Sequence, residues 1–311
     1  MSAKESTLVT PNRSLTTTKA KKKNKHLSLI LFVLPALLFY FLFLFIPTIG
    51  AGIYSFTNWN GLNPNYDFVG FSNYIEAFRD DAAFRHAFFF TLKYTVVVFF
   101  VQNIIALFLA LLIESRTRSK GFFRTIFFMP NMLSLIISAF MFSFIFTNVL
   151  PELSQKALLS FLDQSWIGDP KVSFYSIIIV ALWQGIGYMM VIYMAALQGV
   201  PKQLNEAAMI DGANVFQRLK NVTLPMIMHA ITICSFLTLN NAFKVFDVVY
   251  ALTQGGPGTS TQVVTLNIYE EAFSNNFRFG YANAKAMILF LVVMVITLIQ
   301  IRVTKGKEVE A

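Results

Sequence analysis

Six stretches of nearly unbroken apolar residues divide the chain, at about 27–56, 88–113, 122–146, 173–197, 226–252 and 282–301. Each is long enough for the roughly 20-residue helix that crosses a ~30 Å hydrocarbon core. The pattern predicts an all-α, polytopic membrane protein with six transmembrane helices in residues 27–303. Pro35 and Pro47 predict a kink in the first helix or mark its ends. That stretch is not read as a cleavable signal, because the run Leu29–Ile49 outlasts the typical core of about 7–15 residues.

Composition agrees. Of 311 residues 56% are apolar and 13% charged, where a soluble domain carries about 25% charged. The single cysteine, Cys234, excludes an intramolecular disulfide or a cysteine metal cluster. His26, His86 and His229 are too scattered for the common zinc motifs.

The net charge of +9 raises the question of a nucleic-acid partner. The positions of the charges answer it. Residues 1–26 are polar, end in Lys19, Lys21, Lys22, Lys23 and Lys25, and read as a disordered cytoplasmic tail. With 114–124, 198–224 and 302–311, this segment holds most of the 25 lysines and arginines. Such asymmetry predicts both termini in the cytoplasm, with 304–311 as a second tail. The basic excess therefore reports orientation in a lipid bilayer, and no nucleic acid is expected.

The connector 199–225 is longer than orientation requires. Pro201 suits the first turn of a short helix through Ile210. Gly212 breaks that helix, Asp211 is placed to cap a second one at about 213–222, and Pro225 interrupts it before the fifth span. Two short helices showing Ala207, Ala208, Met209, Ile210 and Phe216 are either a docking element or an amphipathic segment lying on lipid.

Glu206-Ala207-Ala208, three residues, Gly212, nine residues, then Val222-x-Leu224-Pro225 resembles the Glu-Ala-Ala loop of ABC importer permeases, with Val222 where the family form has Ile. Phe68–Tyr74 resembles an outer-loop sequence of carbohydrate permeases, and Phe122–Pro130 the start of their third span. Leu252–Ser260, with Gly255-Gly256-Pro257-Gly258, resembles the loop after span five in the first subunit of maltose-type pairs. The resemblance implies a type I importer permease fold in a bacterial inner or single membrane. It implies a second permease subunit, two cytoplasmic ATPase subunits and an extracytoplasmic solute-binding protein, with a sugar or oligosaccharide as cargo. Glu206, Ala207, Ala208, Met209, Ile210, Asp211, Gly212, Ala213, Phe216, Leu224 and Pro225 then become the ATPase-coupling residues.

The chain has no Gly-Lys-Ser/Thr phosphate loop. No cofactor, metal or catalytic group is expected, and ATP belongs to the partner subunits. Polar residues within spans are costly and face protein or water. Asn240, Asn241, Lys244 and Asp247 in span five, and Trp183, Gln184 and Tyr188 in span four, are the candidate substrate pathway. Positions 240, 244 and 247 would share one helical face. Alternatively Lys244 pairs with Asp247, and Trp183 is a packing residue. Gln102 and Asn103 are expected to bond across helices, and Gly185 and Gly187 to allow close helix packing. Two other readings stay open: glycerol phosphate or another polar solute on the same scaffold, and a self-sufficient carrier.

Overall fold

The computed structural model describes residues 19–115, 119–274 and 277–306. Among them the one strand-like feature is an isolated bridge between Thr57 and Phe68. Among the described residues five helices are long and apolar enough to span a membrane, and a pair bent by 73° makes a sixth when counted as one span.

Residues up to Ala51 form a unit of their own. Helix α1 (Lys19–Tyr40) passes through a π-helical turn at Phe41–Phe45 into α2 (Ile46–Tyr54). All side chains from Leu29 to Ile49 are exposed, as expected of a helix whose solvent is lipid or another subunit. The helix starts at Lys19, inside the segment read as a disordered tail, whereas residues 1–18 and 307–311 lie outside the described residues.

The second unit begins at Gly52. It comprises α3 (Ser72–Arg79), α4 (Ala82–Glu114), α5 (Lys120–Phe128), α6 (Leu135–Phe144), α7 (Leu150–Ser154), α8 (Pro170–Gln198), α9 (Lys202–Ile210), α10 (Val215–Arg218), α11 (Leu224–Met226), α12 (Met228–Phe243), α13 (Asp247–Leu252), α14 (Val264–Tyr269) and α15 (Phe279–Lys305). Asp81 starts α4 by accepting the N–H of Phe84 at 2.7 Å, and Asp169 starts α8 by accepting two N–H groups.

Helices α4 and α8 run side by side in the same direction, with Phe90 against Phe174 near their starts and Asn103 against Tyr193 further along. Asn103 also donates to Thr238 of α12, so one amide ties three helices, as expected of a polar group shielded from water. Gly187 of α8 meets the backbone of α5 so closely that a Cβ there would lie 1.8 Å from the Phe127 carbonyl oxygen. That is the close packing expected of it.

Two spans differ from expectation. The stretch 122–146 is not one helix: α5 ends in a tight turn at Met129–Met132, Leu133 and Ser134 are extended, and the third span is 135–154. Pro130 has no N–H to continue α5, and the apolar pattern does not register the break. The fifth span also breaks. Helix α12 ends at Phe243, and α13 restarts at Asp247. Thr265 satisfies the freed Val245 carbonyl. Asn240, Lys244 and Asp247 therefore do not share one helical face.

Candidate functional site

The connector after α8 is built as an elbow. Helix α9 ends with Gly212 at φ +78°, a conformation glycine adopts without a Cβ penalty. The Gly212 N–H donates to the Met209 carbonyl and the Ala213 N–H to the Ala208 carbonyl, at 3.1 and 2.9 Å. This double closure is a Schellman end. The second helix is capped by Asn214, not Asp211. Asn214 Oδ1 accepts the Gln217 N–H at 2.9 Å, and Gln217 Oε1 accepts the Asn214 N–H at 2.8 Å. Asp211 belongs to the last turn of α9, and reversing the chain through Gly212 uses up the residues before the cap.

The expected discontinuity before the fifth span is a 73° bend at Ile227, two residues after Pro225. The chain widens into a π-helical stretch at Leu219–Thr223, continues through Leu224 and Pro225 into α11, and turns at buried Ile227. The wider turn accommodates the proline ring that an α-helical turn would exclude.

The elbow leaves apolar side chains uncovered. Ile210 is 87% exposed and Phe216 71%, with Met209 and Val215 beside them in sequence. Glu206, Ala207, Asp211 and Gly212 are exposed, while Ala208, Ala213, Leu224 and Pro225 are half-buried. Among the described residues Glu206 makes no ion pair.

A cavity of about 480 Å³ opens between α4, α6, α8 and the broken fifth span. It brings together Gln184, Asn241, Lys244 and Asp247, with Tyr94, Gln102, Asn131 and Thr238 completing its polar wall. Gln184 Nε2 donates to the Leu133 carbonyl at 2.7 Å, so the extended break before α6 is pinned to α8 at the cavity edge. Lys244 forms no ion pair with Asp247. Asn240 lines a separate groove on the other side of α12, which Lys244 also reaches. Trp183 packs edge-on against Phe142 at 5.1 Å, and Tyr188 lies outside the cavity. Gln102 faces the cavity instead of bonding across helices. Asn131 carried no sequence signal of its own, because a break inside the third apolar stretch was not expected.

A third cluster lies at the starts of α4 and α15. Lys285 of α15 is fully buried, with Nζ 2.8 Å from Asp81 Oδ2 and 2.9 Å from both Glu271 Oε2 and Asn267 Oδ1. Beside it Arg278 pairs with Glu76 at 2.7 Å and Glu271 at 3.6 Å. Loss of water raises the Asp81 pKa, but the bonds from Lys285, Phe84 N–H and Tyr281 hold it below the ordinary range. Glu270 is shifted upward by loss of water, against a hydrogen bond from Gln262 and the charge of Lys285.

Residues 102–305 match the model of the family described as "Binding-protein-dependent transport system inner membrane component". The chain belongs to this family. The permease is 41% identical over 265 residues to the probable starch degradation products transport system permease protein AmyD of Thermoanaerobacterium thermosulfurigenes, covering 85% of this chain and 89% of that one. It is 35% identical over 265 residues to the multiple sugar-binding transport system permease protein MsmF of Streptococcus mutans, covering 85% and 91%. In fold it resembles a chain of a bacterial ABC transporter that imports the acidic polysaccharide alginate, with TM-score 0.78, 23% identity, and 92% and 98% of the two chains covered. The all-α permease fold expected from the sequence is therefore the fold observed.

Proposed function

We propose that this permease is one half of the membrane passage of an ATP-driven importer for neutral sugars or oligosaccharides. The cargo is delivered by an extracytoplasmic binding protein. The passage is completed by a second permease subunit, and two ATPase subunits dock on the elbow from the cytoplasm. The observation that carries this reading is the elbow: a capped, twice-closed loop whose apolar side chains have no cover among the described residues. Fully burying Met209, Ile210, Val215 and Phe216 is worth about 1.5–3 kcal/mol each before association costs. Moving a gate from 1:99 to 99:1 takes about 5.5 kcal/mol. A contact of this size is adequate to hold motor and gate together. Glu206 supplies an exposed charge at its rim.

The cavity supports the cargo class. Amides and hydroxyls from Gln102, Asn131, Gln184, Thr238 and Asn241 suit a hydroxyl-rich solute, and Lys244 is balanced by Asp247. A phosphate ester needs a cationic excess that this wall does not offer. Relatives named for starch degradation products and for multiple sugars support the same class, and a solved relative in complex with a sugar-bound periplasmic protein supports the delivery partner. Alternating access follows from rocking of the two permease subunits as the ATPases close.

Uptake of radiolabelled maltooligosaccharide into proteoliposomes tests the reading. Uptake requiring ATP, ATPase subunits, second permease and binding protein is expected. Uptake by this chain alone overturns it in favour of a self-sufficient carrier.

A further inference from the structure

Lys285 is the one fully buried cation among the described residues, and the functions above make no use of it. It lies about 9 Å into α15, at 1.5 Å per residue. Its three ammonium protons meet three oxygens from two other elements: Asp81 at the cap of α4, and Asn267 and Glu271 on the segment 264–274 that follows the Gly-Gly-Pro-Gly turn. The rings of Tyr281 and Phe84 cover it, at 4.3 and 5.5 Å. Tyr281 also donates its hydroxyl to Asp81 at 2.9 Å. Arg278 extends the cluster to Glu76 of α3.

The cluster continues toward the surface. Asn267 donates to Gln262 at 3.4 Å, and Gln262 donates to Glu270 at 2.6 Å. Beside buried Gln262, Thr261 closes the turn by donating to the Gly256 carbonyl at 2.6 Å. The turn's tip, Gly258 and Thr259, is exposed. A line of polar contacts thus runs from an exposed turn to a buried cation that holds the starts of two spans.

Stability alone does not account for such a centre. Removing an ion from water costs several kcal/mol, and apolar replacements of buried ion pairs are often neutral or stabilising. What an ion cluster fixes is register, since Lys285 meets Asn267 and Glu271 of the 264–274 segment and Asp81 at the cap of α4 at the same time. We propose that Lys285 is the positioning residue that locks the 253–274 loop to the second and sixth spans, so that a binding protein seated on the loop acts on the gate. This rests on the importer reading above.

The test uses the complete complex in nanodiscs, with ATP hydrolysis measured with and without saturating, sugar-loaded binding protein. Lys285→Met is expected to lower the ratio of stimulated to basal hydrolysis by at least about fivefold, the lower end of usual coupling between sites, with the basal rate kept. A merely structural cluster would lower both rates or the thermal stability and leave the ratio unchanged. Asn267→Leu removes one of the loop's two contacts with Lys285 while leaving its ion pairs with Asp81 and Glu271, and decides the matter if the methionine variant does not assemble. An unchanged ratio in an assembled variant overturns the proposal and leaves the importer reading standing. Absence of stimulation in the unaltered complex instead overturns the importer reading, and this proposal with it.

Discussion

Replacing Gly187 by alanine tests the packing that shapes the cavity. A Cβ at this position would lie 1.8 Å from the Phe127 carbonyl oxygen, 2.6 Å from its carbon and 2.9 Å from Phe128 Cα. Ordinary van der Waals contact begins at 3.4 Å, so α5 and α8 must separate by about 1.6 Å. The obstacle is backbone, which cannot swing aside as a side-chain tip does. Overpacking of this kind costs about 1–3 kcal/mol or more. Any shift of α5 also drags the 129–134 break that Gln184 pins at the cavity edge. Gly121 is the control, because it lies in α5 with nothing within 4 Å of its Cβ position. Alanine there gains up to about 1 kcal/mol of helix propensity. Thermal unfolding of the assembled complex and sugar uptake are the assays. Gly187→Ala is expected to melt lower and transport poorly, and Gly121→Ala to match or exceed the parent. Equal stability and uptake in both variants would refute the close-packing argument.

Other outcomes follow from the same geometry. Asn214→Ala removes the capping box at a cost of about 0.5–2 kcal/mol; amide exchange at 215–218 is expected to quicken, with α8 unaffected. Gly212→Val meets no neighbour but must hold φ +78° with a branched side chain, so the complex should still insert while substrate-stimulated ATP hydrolysis falls; normal stimulation would count against the elbow's role. The lowered Asp81 pKa contributes stability above its ordinary value of 3.8, lost as pH falls through the shifted value. Thermal stability should therefore drop at acid pH, and less so in Asp81→Asn. Glu270 has the opposite sign: its raised pKa costs stability as pH rises above 4.5. Glu270→Gln should melt higher than the parent at pH 7, with the gap closing below pH 4.5.

Much of the molecule was legible in its sequence because lipid imposes a coarse rule. Apolar runs give the spans, and the Gly212 break of the elbow follows from its need for φ above zero. What escaped were breaks inside apolar runs. The breaks at Met129–Ser134 and Lys244–Phe246 fall inside stretches that stay apolar on average, and they carry or border cavity-lining Asn131, Lys244 and Asp247. The cap at Asn214 was missed because Asp211 has the same chemistry three residues earlier, and only the Schellman closure decides between them. Lys285 escaped for another reason: its partners Asp81, Asn267 and Glu271 are distant or differently placed in sequence, and burial of a cation is set by tertiary contacts.

The most direct test of the central claim, that the elbow is the seat of a separate motor, uses the buried and solitary Cys234. Because that thiol is fully covered, an introduced cysteine in Ile210→Cys is the one thiol of this chain open to a maleimide reagent, and labelling is read on this chain. Labelling should be rapid in the permease pair in nanodiscs and strongly suppressed once ATPase subunits are bound. Equal labelling with and without the ATPase would contradict the account.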